Sequence, residues 1–149
     1  MGDENIIISY ERRGREKMRR LCEMRNLDYY DNPTITEPYD GTVVYNGKSY
    51  LIEIKDRDAS YNDYPTVLME SAKKDALLDT MQELEADGAY YVSFYGDTAW
   101  VFDVTSSEVL STPSTTIRCN KHTAFGDGKR EKEIILLPKA IGHKYNITE

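Results

Sequence analysis

Two hydrophobic periods divide the chain. Over residues 9 to 26 apolar positions recur at helical spacing, which predicts a helix with Met18, Leu21, Cys22 and Arg25 on one side. "NLDYYDNPTITEP" reads as a short extended segment bounded by Pro33 and Pro38. "YDGTVVYNGKSYLIEIKDRD", residues 39 to 58, then alternates, turns at Asn46-Gly47 and alternates again, which predicts a hairpin. "YPTVLMESAKKDALLDTMQELEADG" carries the strongest helical pattern. Pro65 suits its first turn, Leu68, Ala72, Ala76, Leu77, Met81 and Leu84 share a stripe, and Gly88 ends it. "AYYVSFY" and "TAWVFDV" flank Gly96-Asp97 as a second hairpin, and "TTIRCN" with "EKEIILLP" predicts a third pair across a Gly-containing loop. No repeat or linker divides residues 1–149, so one domain is expected. Helix, strands, helix, strands in that order predicts an α/β or α+β fold, a mixed sheet with flanking helices.

Composition narrows the class without naming a function. With 40% hydrophobic and 30% charged residues the chain is ordinary for a globular protein. No apolar run approaches the ~18 residues of a membrane span, and the opening "MGDENIIISYERRGR" lacks a secretory layout. Ile6 breaks the myristoylation pattern, and the "NIT" sequon at Asn146 has no meaning without export. The expected location is the cytoplasm, with Cys22 and Cys119 as reduced thiols. Their separation, with only His122 and His143 as company, makes a poor zinc pattern.

The net charge of −7 argues against an indiscriminate nucleic-acid coat, but the charge is unevenly spread. Residues 12 to 25 hold Arg12, Arg13, Arg15, Lys17, Arg19, Arg20 and Arg25 against Glu16 and Glu23. Residues 26 to 117 carry 17 acids and five bases, and from 118 onward bases lead seven to four. An acidic middle with basic ends suits a cation at the centre and a phosphate backbone at the rim. A solvated basic helix face explains the first run equally well.

The hairpin holds the candidate chemistry. Asn-Gly is the strongest short signal for a two-residue type I′ turn. With that loop, Tyr45 faces Lys48 and Asp40 stands directly opposite Glu53, their Cβ atoms ~5 Å apart. Lys55 and Arg57 follow Glu53 on the same face, while Val43, Tyr45, Tyr50, Ile52 and Ile54 collect on the other. Opposed like charges cost stability unless something neutralises them. A divalent cation would do so, since carboxylate oxygens suit Mg²⁺ or Mn²⁺; so would Lys55 as a salt-bridge partner.

Asp, a turn, then Glu-x-Lys ("YDG…LIEIKDR") resembles the PD-(D/E)XK nuclease superfamily. The likeness runs from the first helix through about residue 104, although Tyr39 precedes Asp40 and Pro38 lies one place further back. It implies a restriction-endonuclease-like αβββαβ core over about 9–104, with a C-terminal β-hairpin extension over about 114–149. The resemblance implies that Asp40, Glu53 and the Ile54 carbonyl bind Mg²⁺ or Mn²⁺, and that Lys55 orients the attacking water and stabilises the transition state. Many relatives add a Glu from the first helix; Glu11, seven residues before Met18 and so toward the sheet, is preferred to Glu16. A Lys from the next helix is also common, and Lys73, four before Leu77, is preferred to Lys74, ordinary helix-surface charge being the alternative for both. Arg57 is the candidate phosphate contact, and Arg12, Arg13 and Arg15 form a candidate track for the backbone. Tyr61 and Tyr64 could stack on bases or contact a phosphate, whereas Tyr90, Tyr91, Tyr95 and Trp100 suit sheet packing.

The function expected from the resemblance is a metal-dependent deoxyribonuclease for replication, recombination or repair in a bacterium or phage-infected cell. Its partner would be duplex or branched DNA, with no membrane and no small-molecule cofactor. Similar small members include Holliday-junction resolvases, which act as homodimers. The alternative is a catalytically inactive module of the same fold that binds nucleic acid or a protein. A carboxylate-pair glycosidase leaves Lys55 and the basic ends unexplained.

Overall fold

The computed structural model describes residues 2–34, 38–120 and 129–148, with side chains described for 12–34, 38–118 and 131–148. The fold is α+β. A mixed six-stranded sheet contains β1 (Asp28–Asp31), β2 (Gly41–Tyr45), β3 (Lys48–Arg57), β5 (Gly88–Tyr95), β6 (Thr98–Asp103) and β9 (His143–Asn146), in spatial order 1-2-3-5-6-9. A smaller sheet sets β8 (Lys129–Pro138) between β4 (Thr66–Glu70) and β7 (Ser114–Asn120). Among the described residues, three α-helices accompany them: α1 (Gly2–Met24), α2 (Ser71–Glu83) and the short α3 (Ser107–Leu110). Among the described residues no helix is long and apolar enough to cross a membrane.

β3 is the hub of the large sheet. It pairs antiparallel with β2 and parallel with β5, and the β3–β5 crossover passes through β4 and α2. Strand alternation sends its residues to two separate cores. Ile52 and Ile54 join Val43, Val92, Phe94 and the Met18, Leu21 and Cys22 side of α1. Leu51 joins Tyr91, Phe102 and Val104, covered by α2 and by Val67, Met69, Ile135 and Leu137 of the small sheet. α1 is brought close to the sheet at Gly14, where an added Cβ would meet the Ile54 side chain at 3.1 Å. Asp56, on the α1 face, is sealed by Arg13 Nε at 3.1 Å and Lys17 Nζ at 2.6 Å.

Three sequence expectations need correction. Thr66–Glu70 is a strand, not the first turn of the second helix. Val67 and Met69 are fully buried while Leu68 is half-buried, a period of two that the helical stripe through Leu68 concealed. Pro65 therefore precedes a strand, and α2 begins at Ser71. Gly88 does not end α2 but opens β5. The helix closes in a Schellman arrangement, with Glu85 at φ 55° and the Ala86 and Glu85 N–H groups donating to the Met81 and Gln82 carbonyls. α1 ends likewise at Asn26, φ 57°. Finally, the C-terminal hairpin of β7 and β8 is present, but β4 completes it as a sheet and β9 returns to the edge of the large one.

Candidate active site

The β2–β3 turn has Asn46 at φ 52° and Gly47 at φ 75°, the paired positive values of a type I′ loop. It fixes the register Tyr45 with Lys48 through Gly41 with Ile52, so Asp40, one residue beyond the ladder, lies against Glu53. The Asp40 backbone is held on both sides: its N–H donates to the Ile52 carbonyl at 2.8 Å, and its carbonyl accepts from Asn32 N–H at 2.9 Å. Its carboxylate turns back so that Oδ2 accepts the Ile54 N–H at 2.7 Å. Arg15 Nη2 of α1 lies 3.6 Å from the other oxygen, Oδ1. By strand geometry the Ile54 carbonyl faces the same edge as its N–H, the edge that Asp40 occupies.

Glu53 is 8% exposed. Burial, then the Asp40 charge and a hydrogen bond with it, push its pKa up to about 8, against the opposing pull of Lys73 and Lys55. Glu53 therefore holds a proton readily in the absence of a neutralising cation. Lys55 is open to solvent, yet protein walls around its ammonium, with Lys73 and Arg57 adding repulsion, lower its pKa; Glu53 and Glu70 oppose this. Lys73, in the first turn of α2, thus enters the electrostatics of both Glu53 and Lys55. Lys74 turns instead toward Asp75, 4.0 Å away.

Arg57 lies on the Glu53 face but is tied down. Its Nη2 donates to the Leu68 carbonyl at 2.8 Å and to the Tyr91 hydroxyl at 3.2 Å, while that hydroxyl donates to the same carbonyl at 2.9 Å. Burial pushes the Tyr91 phenol up to about 12 although Arg57 pulls the other way, so it stays a donor at neutral pH. In this arrangement Arg57 joins β3, β4 and β5. Arg13 is similarly engaged with Asp56 and Arg15 faces Asp40, whereas Arg12 is exposed. Glu16 is exposed, and the Glu11 side chain lies outside the described residues.

Glu70 and Lys132 are additions that the sequence did not single out, and Tyr91, expected to pack within the sheet, is buried there and also holds Arg57. Glu70 sits at the junction of β4 and α2, 3.0 Å from Lys132 of β8. Burial works to raise its pKa, but Lys132, Lys55 and Lys73 outweigh it and lower the value. The alternation of "TVLME" was the available signal for Glu70; Lys132 is brought in by a pairing over 60 residues away in sequence. Asp40 and Glu53 supply two hard side-chain donors beside a backbone carbonyl, a set that fits Mg²⁺ or Mn²⁺. Among the described residues, no group of three or more His, Cys, Asp or Glu side chains converges as a metal cage. A cavity of about 360 Å³ opens on the opposite, α1 side of the sheet, between Met18, Cys22, Tyr50 and Tyr90; neither Glu53 nor Lys55 lines it. No protein-family model matches the chain, and no curated protein matches it.

Proposed function

We propose that the chain is a metal-dependent nuclease of the PD-(D/E)XK type that hydrolyses phosphodiester bonds in DNA. One observation carries the reading: Asp40 against Glu53 at the open end of the β2–β3 ladder, with Lys55 and Lys73 joined electrostatically to the buried Glu53. A fold needs no buried carboxyl set against a second carboxylate, and an apolar residue in place of Glu53 would be less costly. Asp40, Glu53 and the Ile54 carbonyl would hold the ion. When bound, Mg²⁺ or Mn²⁺ supplies a water of lowered pKa and offsets charge on the scissile phosphate.

The chain's own groups do the rest. Ile54 N–H fixes the Asp40 carboxylate in orientation, so little reorganisation is needed when a cation arrives. Lys55 presents ammonium donors toward the phosphoryl oxygens and the incoming water, and Lys73 adds positive charge from the α2 side. Arg57 and Tyr91 position this region by gripping the Leu68 carbonyl. The test is digestion of single-stranded, duplex, flap and four-way-junction DNA with Mg²⁺ or Mn²⁺. Cleavage that vanishes in Asp40→Asn and Glu53→Gln supports the assignment, while no cleavage of any substrate refutes it. The position of Arg15 beside Asp40 favours a second reading, an inactive nucleic-acid-binding module in which the arginine stands where a cation would otherwise act.

A further inference from the structure

We propose that Tyr61 and Tyr64, on the turn that follows β3, form a stacking platform for an unpaired base of DNA; the choice of DNA rests on the nuclease reading. The two rings are nearly parallel, 20° between planes and 6.2 Å between centroids. Both are largely in solvent, 55% and 60% exposed, so core packing does not account for them. They belong to the 3₁₀ turn Ala59–Asp63 and its following residue, which begins two residues after the end of β3 and packs against β5.

That turn is held from behind by groups that leave both rings free. Asp58 caps it, its Oδ1 accepting from Ser60 N–H at 2.9 Å and Ser60 Oγ at 2.7 Å. Asn62 Oδ1 accepts from Trp100 Nε1 and from Lys139 Nζ, each at 3.0 Å. The Lys139 ammonium also donates to the Asn62 carbonyl and lies 5.2 Å and 5.0 Å from the Tyr95 and Trp100 ring centres. Pro65 is fixed as well, its carbonyl accepting from Lys139 N–H at 2.9 Å. A rigid aromatic surface adds stacking without first having to be ordered.

The turn offers ring faces rather than a cationic pocket. Asp58 and Asp63 are exposed, and the Lys139 ammonium that interacts with Asp63 is already engaged by Asn62, so the free ligand surface here is the two aromatic faces. A base face is uncharged and gains from stacking, but inside a duplex both faces are already covered. The occupant is therefore a base at a single-stranded segment, a flap or a frayed end.

The experiment measures binding by the full chain, in Ca²⁺, of single-stranded DNA carrying one 2-aminopurine, with blunt duplex as the comparison. Tyr61→Ala with Tyr64→Ala is expected to weaken single-strand binding about tenfold or more, whereas the double Phe variant stays within about twofold of the parent. Duplex affinity should not change. Unaltered binding by the Ala pair, an equal loss in the Phe pair, a parallel loss on duplex, or no single-strand binding by the parent each overturns the platform. Cleavage by the parent is scored separately with Mg²⁺ or Mn²⁺: cleavage with an indifferent Ala pair removes the platform alone, and binding without cleavage removes the nuclease reading alone.

Discussion

The Asp40 carboxylate accepts the Ile54 N–H at 2.7 Å, one residue along from the Glu53 it opposes. A single strand thus orients one carboxylate through its backbone and offers the other from its side chain. The amide that would follow Glu53 in any sequence is here the fixed point for Asp40.

Asn at position 40 keeps an oxygen for that N–H, so Asp40→Asn is expected to fold normally and to abolish cleavage. Glu53→Gln should do the same, with apo stability at neutral pH no lower than the parent because a neutral amide need not take up the proton that Glu53 holds on folding. Asp40→Ala, by contrast, removes the acceptor and should cost about 1–3 kcal/mol in denaturant unfolding. Parent-level cleavage by either amide variant would remove that carboxylate from the mechanism.

The raised pKa of Glu53 has a definite sign in a stability profile. The folded state holds a proton that an unfolded carboxyl releases near 4.5, and keeps it to about 8. Stability of the metal-free protein is therefore fullest at and below 4.5 as far as this group is concerned, and falls as pH rises toward 8. Thermal unfolding in EDTA across that window should show the decline, and Glu53→Gln should flatten it. A parent profile that rises steadily from 5 to 8 and matches the Gln variant would contradict the assignment.

Lys55→Ala is expected to lower kcat by about 10²-fold or more with little change in metal affinity, since its charge acts on the transition state. Lys73→Ala should have a smaller effect, and Lys74→Ala almost none. Single-turnover rates with Mn²⁺ binding measured alongside distinguish these outcomes. Equal losses at 55 and 73 would place both lysines against the reacting phosphate.

On the proposed metal reading, Arg15, 3.6 Å from Asp40, would compete with the cation. Arg15→Gln should tighten Mn²⁺ binding roughly two- to fivefold, the scale of a partly exposed ion pair. Calorimetric titration reads this directly, and weaker binding would mean that Arg15 holds Asp40 in its ligating position. The combined Arg12, Arg13 and Arg15→Gln variant should also reduce the salt dependence of DNA binding, where each phosphate contact contributes a slope of about −0.9. Arg13→Gln alone should lower Tm because it exposes Asp56 on one side, while Arg12→Gln should not.

Replacing Arg57 tests whether it acts through β4. Arg57→Met leaves the Leu68 carbonyl with Tyr91 alone and should destabilise the fold by about 1–3 kcal/mol. If it instead leaves Tm unchanged and only weakens DNA binding, Arg57 contacts phosphate directly.

The parts legible in the sequence were those fixed by near neighbours. Asn46-Gly47 dictates a turn by its backbone conformation, and the turn alone carries the register to Asp40 and Glu53. The Gly96-Asp97 hairpin is equally local, with Gly96 at φ 62°. The strand character of Thr66–Glu70 is hidden because the apolar run Val67–Met69 leads straight toward α2, and Leu68 happens to continue the helical stripe. Its strand character is decided by β8, which pairs Val67 with Leu137. Arg57 was equally opaque: nothing adjacent announces that a Leu carbonyl and a Tyr hydroxyl from two other strands will claim its guanidinium. Lys139, which backs the Tyr61 turn, arrives from still further along the chain.

Alternation along β3 has a consequence for how such a chain can change. Glu53 and Lys55 point one way while Ile54 and the sealed Asp56 point the other, so both sets are tied to the same parity. A one-residue slip of β3 against β2 and β5 would send Glu53 and Lys55 under α1 and bring Ile54 and Asp56 to the opposite face. Folding and the proposed chemistry would fail together. Lineages of this protein should accordingly tolerate exchanges of side chain within the strand while avoiding odd-numbered changes in its length, even where no substrate is present to enforce them.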